Sequence, residues 1–107
     1  EAPYDIGSIL REVTAVLLDR RAHPDPESYT CKLFAKGADA YCKKIGEEAT
    51  EVILAAKNRD RENLAWEVAD LWFHSLVALV DQGLSPADVA DQLASRRGRR
   101  REQQKED

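Results

Sequence analysis

Residues 43–80 read KKIGEEATEVILAAKNRDRENLAWEVADLWFHSLVALV, and the central part of the fold can be predicted from them. Apolar residues recur at helical spacing on both sides of KNRD, a short polar connection at residues 57–60. Asp60 is placed to cap the second of these helices, which is predicted from Arg61 to about Asp81. Because so short a connection makes the flanking helices antiparallel neighbours, the sequence predicts a helical hairpin.

Helical sequence also precedes this hairpin. Apolar residues at helical spacing predict a first amphipathic helix over residues 3–22, ended by the two prolines of HPDPES. Ser28 is a good N-cap for a second helical region, which runs to about Ala56 and includes the first half of the hairpin. Gly37 costs this region about 1 kcal/mol of helix propensity, so a bend or a break is expected there.

The chain is predicted to end with a short helix and a basic tail. Gly83 stops the second helix of the hairpin, and Ser85 and Pro86 supply the N-cap and the first residue of the last helix. With 43% apolar residues, 5 Gly and 4 Pro, the composition favours helices over a sandwich of short strands. We expect an all-α bundle of four to five helices over residues 1–95 and a basic, disordered tail over residues 96–107. Because 107 residues provide only a modest core, we also expect dimerisation, as a homodimer, to complete the bundle.

The charge distribution argues against two classes of partner. The net charge is −4, although the tail holds five Arg and one Lys against two Glu and one Asp, so the body is acidic. Phosphate contacts need clustered Lys and Arg, so nucleic acid is not an expected partner, and RRGRRR is interpreted as a solvated terminus. The sequence lacks the ~18 uninterrupted apolar residues of a membrane span and the pattern of a signal peptide. We expect no membrane partner, a cytoplasmic location and free thiols at Cys31 and Cys42.

Acidic residues occur at matching spacing in both helices of the hairpin. Glu48 and Glu51 stand three residues apart and point the same way on a helix, with Glu47 displaced to one side. Glu67 and Asp70 repeat the three-residue step after fifteen intervening residues. If the two helices are antiparallel neighbours, the two acidic pairs can face each other.

Two interpretations of these carboxylates remain open on spacing alone. Beside Val52 and Ile53, which read as helix core, converging carboxylates are costly unless a cation neutralises them, and Mg²⁺ or Mn²⁺ prefers oxygen ligands. Alternatively, the acids form a solvated helix edge that nearby lysines offset. His74 continues the acidic stripe. It would either hydrogen-bond a ligand of the metal without binding the metal itself, or be satisfied by a hydrogen bond elsewhere inside the bundle.

Two segments of the chain closely resemble one enzyme family: SYTCKLFAKGADAYCKKIGEEATEVILAAK at residues 28–57 and EVADLWFHSLVAL at residues 67–79. The family is the phosphoribosyl-ATP pyrophosphohydrolases, a branch of the MazG-like all-α nucleotide pyrophosphohydrolases. The resemblance runs from about Ile6 to Leu93. It implies Mg²⁺-dependent hydrolysis of phosphoribosyl-ATP to phosphoribosyl-AMP and pyrophosphate, the second step of L-histidine biosynthesis.

The resemblance also implies roles for residues that match the family's motifs. The positions that match its metal ligands are Glu48, Glu51, Glu67 and Asp70. Glu47 matches a further ligand or a base that orients the attacking water, so Glu47 and Glu48 are the predicted catalytic residues. The basic positions suited to the substrate polyphosphate are Lys43, Lys44 and Lys57.

The chain departs from the family's usual pattern at Trp72 and Phe73, where Leu followed by Tyr or Phe is commoner. Bifunctional relatives carry an additional cyclohydrolase domain, for which 107 residues leave no room, so we expect the pyrophosphohydrolase step alone. Two other functions are compatible with the residues. One is a house-cleaning pyrophosphohydrolase for non-standard nucleoside triphosphates, and the other is a non-catalytic helical dimerisation module.

Overall fold

The structure is a computed structural model that describes residues 4–97. Its five α-helices are α1 (Ile6–Ala22), α2 (Tyr29–Lys36), α3 (Ala38–Lys57), α4 (Arg61–Asp81) and α5 (Pro86–Ser95). No strand occurs within this part of the chain. The predicted all-α class is therefore confirmed.

The helix boundaries follow local capping chemistry. Ser28, Asp60 and Ser85 each accept a backbone N–H with the side chain, as the sequence predicts. The predicted start of α1 at residue 3 is wrong, because Asp5 is extended and accepts a hydrogen bond from the backbone N–H of Ser8 at 2.9 Å. An N-cap residue has non-helical dihedral angles, so the helix begins one residue later.

Gly37 divides the second helical region into two helices. Its φ of +82° lies in the left-handed region, which glycine adopts at little cost, and the chain therefore leaves α2 and starts α3 at this residue. The break expected from the sequence is confirmed. Cys31 and Cys42 consequently lie on different helices, and both are free thiols, with Cys31 buried and Cys42 exposed.

Helices α3 and α4 form the antiparallel pair at the centre of the fold, and they have the most extensive contact of any two helices. The Tyr41 hydroxyl, near the start of α3, donates to Asp81 Oδ2 at the end of α4, at 2.8 Å. Glu48, seven residues further along α3, meets His74, seven residues earlier in α4. These two contacts fix the direction and the register of the predicted hairpin.

The buried core lies at the end of the hairpin that α1 and α2 cover. Its members are Leu17, Leu33, Tyr41, Leu76, Val77 and Val80. At the other end of the hairpin, α1 and α2 give little cover, and Ile53 is 60% exposed. The expectation that Ile53 belongs to the core is therefore wrong, because no helix of the described chain packs over that side of α3.

Two further predictions from the sequence concern the basic tail and membrane-spanning helices. The proposed tail at residues 96–107 lies outside the described residues except for Arg96 and Arg97, so its disorder stays a prediction. Among residues 4–97, no helix has the length and apolar character needed to cross a membrane.

The two leucines in the middle of α1 provide a test of this packing. Leu17 is 1% exposed and Leu18 is 53% exposed. We expect Leu17→Ala to lower the free energy of unfolding by about 3 kcal/mol, because it removes buried methyl groups and leaves a cavity. Leu18→Ala is the matched control and should change it by less than about 0.5 kcal/mol. Urea unfolding followed by circular dichroism measures both, and equal losses would contradict the described position of α1.

Candidate functional site

Three hydrogen-bonded side chains connect α2, α3 and α4 at the candidate site. His74 of α4 places its Nδ1 atom 2.6 Å from Glu48 Oε1 of α3. Its Nε2 atom lies 2.8 Å from the hydroxyl oxygen of Tyr29, the first residue of α2. The side chains of His74 and Glu48 are only 6% and 12% exposed. A carboxylate with this little exposure needs a hydrogen-bond donor, and the histidine ring provides one.

The surroundings of His74 decide which ring nitrogen carries the proton in the neutral imidazole. Nδ1 lies near two acceptors, Glu48 Oε1 and the backbone carbonyl oxygen of Asp70 at 3.1 Å. The proton therefore belongs on Nδ1, and Nε2 accepts the hydrogen bond that the Tyr29 hydroxyl donates. His74 thus orients Glu48 on one side and Tyr29 on the other.

The four acids selected from the sequence lie close together across α3 and α4. Burial raises the pKa of Glu67 above its ordinary value, and the negative charges of Glu51, Asp70 and Glu48 raise it further. The contact of Glu48 with His74, one helical turn after Asp70, sets a register that places the acidic segments of α3 and α4 side by side. The two acidic pairs therefore lie in the same part of the hairpin, and their negative charges oppose one another.

Oxygen donors of this kind are those that Mg²⁺ and Mn²⁺ prefer, so the four acids are the described residues best suited to such an ion. The donor set fits chemically, because a divalent cation would offset the repulsion that raises the pKa of Glu67. Within residues 4–97, however, no three His, Cys, Asp or Glu side chains are arranged to hold one metal ion. The roles of these acids as ligands stay predictions.

A basic groove of about 290 Å³ lies beside the acids, between α2 and α3. The residues that line this lysine groove are Tyr29, Lys32, Leu33, Lys36, Ala40, Lys43, Lys44 and Glu47. Lys44 Nζ lies 3.8 Å from Glu47 Oε1, and both side chains are about half exposed. Tyr29 lines the lysine groove and also bonds His74, so it joins the basic and acidic parts of the site.

The pKa of Tyr29 reflects this intermediate position. Burial raises the pKa of its hydroxyl, the positive charge of Lys44 opposes that shift, and the negative charge of Glu48 adds to it. The Tyr29 hydroxyl therefore lies within electrostatic range of both Lys44 and the carboxylates.

The structure brings most of the predicted site residues together, with one exception. Lys43, Lys44 and Glu47 share the lysine groove. Lys57 ends α3, thirteen residues after Lys44, which places it about 20 Å further along the helix. Lys57 therefore does not lie beside the other lysines, and its position gives no support to the predicted contact with the substrate polyphosphate.

Three features of the site were not predicted from the sequence. One is the pairing of Tyr29 with His74, although a hydrogen bond to His74 inside the bundle was one of the two predicted roles. The others are Lys32 and Lys36, which line the groove from α2. Their spacing of four residues in TCKLFAKG places them on one side of a helix, and this was the available signal.

A helical hairpin with acids on both of its helices and an adjoining basic groove is consistent with the all-α nucleotide pyrophosphohydrolases. Residues 10–97 match the family described as phosphoribosyl-ATP pyrophosphohydrolase. The chain belongs to this family, and the resemblance noted in its sequence is confirmed.

Individual relatives agree with this assignment. The phosphoribosyl-ATP pyrophosphatase of Aromatoleum aromaticum is 49% identical over 90 residues, which cover 84% of this chain and 83% of the relative. The enzyme of the same name from an Azoarcus species is 48% identical, with 84% of each chain covered. The histidine biosynthesis bifunctional protein HisIE of Synechocystis is 51% identical over 91 residues, which make up 85% of this chain and 42% of that protein.

The buried contact between His74 and Glu48 can be tested by a double-mutant cycle. His74→Leu should lower the free energy of unfolding by roughly 2 kcal/mol in the presence of a chelator, because it leaves the Glu48 carboxylate without its donor. The double variant His74→Leu, Glu48→Leu should lose less than the sum of the two single variants, since neither partner is left unpaired. Tyr29→Phe is the comparison and should cost less than about 1 kcal/mol, because Tyr29 is half exposed and water can replace its hydroxyl at His74 Nε2. Additive losses in urea unfolding would contradict the contact.

Proposed function

We propose that this chain hydrolyses phosphoribosyl-ATP to phosphoribosyl-AMP and pyrophosphate in an Mg²⁺-dependent reaction, the second step of L-histidine biosynthesis. The observation that carries the proposal is the register of α3 and α4, which brings acidic segments of both helices together beside a groove lined by lysines. The relatives' names, phosphoribosyl-ATP pyrophosphatase, support this substrate. The charge pattern suits a polyphosphate with a divalent cation.

In this proposal the four acids hold the cation, and their repulsion in its absence is the reason that they bind it. Bound Mg²⁺ would supply electrophilic polarisation of the phosphates at the bond that breaks. His74 holds the Glu48 carboxylate in a fixed orientation through Nδ1, so this side chain need not be ordered during the reaction. Preorganised groups of this kind reduce the reorganisation that accompanies the transition state.

Glu47 and the lysines complete the proposed mechanism. Glu47 is exposed at the edge of the groove. A carboxylate there can orient a water molecule towards phosphorus and accept its proton. Water adds across the α,β-phosphoanhydride, and the departing pyrophosphate gains negative charge. Lys43 and Lys44 offset that charge from the neighbouring turn of α3.

We also propose that the enzyme is a homodimer in which a second copy covers the Trp72 face, an apolar surface formed by α1, α4 and α5. Trp72 is 45% exposed and belongs to two adjoining apolar hollows. The other large apolar residues of this face are Ile6, Leu10, Leu64, Val68, Leu79, Val89 and Leu93. A continuous apolar surface of this kind on a small chain is typical of a protein contact.

The reaction is tested by pyrophosphate release from phosphoribosyl-ATP. We expect turnover with millimolar Mg²⁺ and none after chelation, because the acids then hold no cation. A panel of non-standard nucleoside triphosphates should be hydrolysed at least about a hundredfold less efficiently. Preference for a member of that panel would assign the chain to a different substrate, and no hydrolysis of any of these compounds would argue for a non-catalytic protein.

Glu67→Gln separates the electrostatic role of the acids from a role in folding. In chelator at neutral pH, we expect this variant to have a higher Tm than the parent chain, because it removes a carboxylate whose raised pKa reports unfavourable ionisation. With Mg²⁺ or Mn²⁺ the parent should gain Tm while the variant gains little, and kcat/KM should fall roughly a hundredfold or more. Glu12→Gln on the exposed side of α1 is the matched control for the loss of one charge. A metal-induced Tm gain that Glu67→Gln retains in full would remove Glu67 from the proposed ligands.

The dimer is tested at Trp72. Trp72→Glu should convert a dimer to a monomer in sedimentation equilibrium, because it places a charge inside the proposed contact. Trp66→Glu is a useful comparison, since Trp66 is 68% exposed but lies outside the Trp72 face. A parent chain that is monomeric at micromolar concentration, or a dimer that Trp72→Glu leaves intact, would contradict this interface.

A further inference from the structure

Two of the lysines in the lysine groove come from a helix that the mechanism above does not use. Lys32 and Lys36 stand four residues apart on α2, whereas Lys43 and Lys44 approach from α3. Like charges four residues apart on one helix repel each other. Here two further ammonium groups from α3 share the same groove, so the arrangement concentrates positive charge on one concave surface.

The groove contains little negative charge of its own to balance these lysines. Among its lining residues, which all lie in the described part of the chain, Glu47 is the single carboxylate. Within residues 4–97, Lys44 is the only one of the four lysines with an ion-pair partner within 4.0 Å. Separate lysines on a convex surface would be ordinary solvated charges. Four lysines that converge on a groove from two helices favour a ligand with several negative charges.

The position of the groove relative to the acids narrows the class of ligand. Lys44 precedes Glu48 by four residues on α3, a rise of about 6 Å. Tyr29 lines the groove and is connected to Glu48 through His74. The basic groove and the acidic cluster are therefore adjoining parts of one surface, and one ligand that carries several phosphates can contact both.

From this geometry we infer that the lysine groove binds a phosphate group of the substrate other than the one that water attacks, and that Lys32 and Lys36 contact it. The inference rests on the proposed function for the identity of the substrate. Phosphoribosyl-ATP carries phosphates at two ends, in the triphosphate and on the second ribose. Both present the same anionic oxygens to lysine, so either the departing pyrophosphate or the ribose phosphate occupies the groove.

The inference gives α2 a role in substrate selection. A phosphate in the groove holds the substrate at a second point besides the phosphorus that water attacks, and this contact favours molecules with a phosphate at the correct distance. Binding energy of this kind is available before the transition state is reached. Its loss therefore raises KM more than it lowers kcat.

The test uses the double variant Lys32→Gln, Lys36→Gln. Both side chains are exposed, so the fold should be retained, and circular dichroism checks this. Arg11→Gln with Arg20→Gln is the matched control, because it removes two positive charges from the exposed side of α1. Two probes distinguish the possible occupants: inorganic pyrophosphate and ribose 5-phosphate, each measured as an inhibitor and, in chelator, by the Tm gain that it produces.

We expect the groove variant to raise KM for phosphoribosyl-ATP roughly tenfold, with a smaller change in kcat, and to weaken one probe by a similar factor. Weaker binding of pyrophosphate alone assigns the groove to the departing group, and weaker binding of ribose 5-phosphate alone assigns it to the second ribose. The control variant should stay within about twofold for KM and for both probes. Unchanged KM and unchanged probe binding in an active enzyme would overturn the inference. The Tm measurements test the groove even if the parent chain does not hydrolyse phosphoribosyl-ATP.

Discussion

The antiparallel pairing of α3 and α4 is the constraint on which the rest of the structure depends. The Tyr41 contact with Asp81 and the Glu48 contact with His74 fix the register of this pair, because each joins part-buried groups at matching heights. In that register, the acidic segment of one helix lies beside the acidic segment of the other. A shift of one residue would turn the side chains by about 100° and separate them. The site therefore depends on hairpin register more than on any single carboxylate.

The contact between His74 and Glu48 has consequences for stability and for the proposed chemistry. It satisfies a carboxylate that has lost most of its water, and it leaves that carboxylate in one orientation beside the other acids. Through Nε2 the same ring fixes the hydroxyl of Tyr29, which borders the lysine groove. Along α3 the charge changes from positive at Lys44 to negative at Glu48 within about one turn. A surface with this polarity suits a substrate that combines phosphate anions with a divalent cation.

Several parts of the fold and the site were predictable because they depend on residues close together in sequence. Ser28, Asp60 and Ser85 cap helices through contacts within three residues, and Gly37 breaks a helix through its own dihedral angles. The start of α1 was missed because Asp5 competes as an N-cap with the helix propensity of its neighbours. The exposure of Ile53 was missed for a different reason. Burial depends on which helices pack over a residue, and the periodicity of apolar residues does not show how much of α3 is covered by α1 and α2.

The helices, the hairpin and the three-residue spacing of the two acidic pairs could be predicted from the sequence, because they follow from local propensity and helical periodicity. Together with the family motifs, that spacing was enough to select the candidate acids. Only the tertiary structure decided that His74 bonds both Glu48 and Tyr29, residues that are 26 and 45 positions away in the chain. It also decided that Lys32 and Lys36 join Lys43 and Lys44 in one groove, while Lys57 lies apart. The contact with Glu48 depends on the register of α3 and α4, and the contact with Tyr29 and the shared groove depend on how α2 packs against that pair. No local pattern in the sequence specifies this packing.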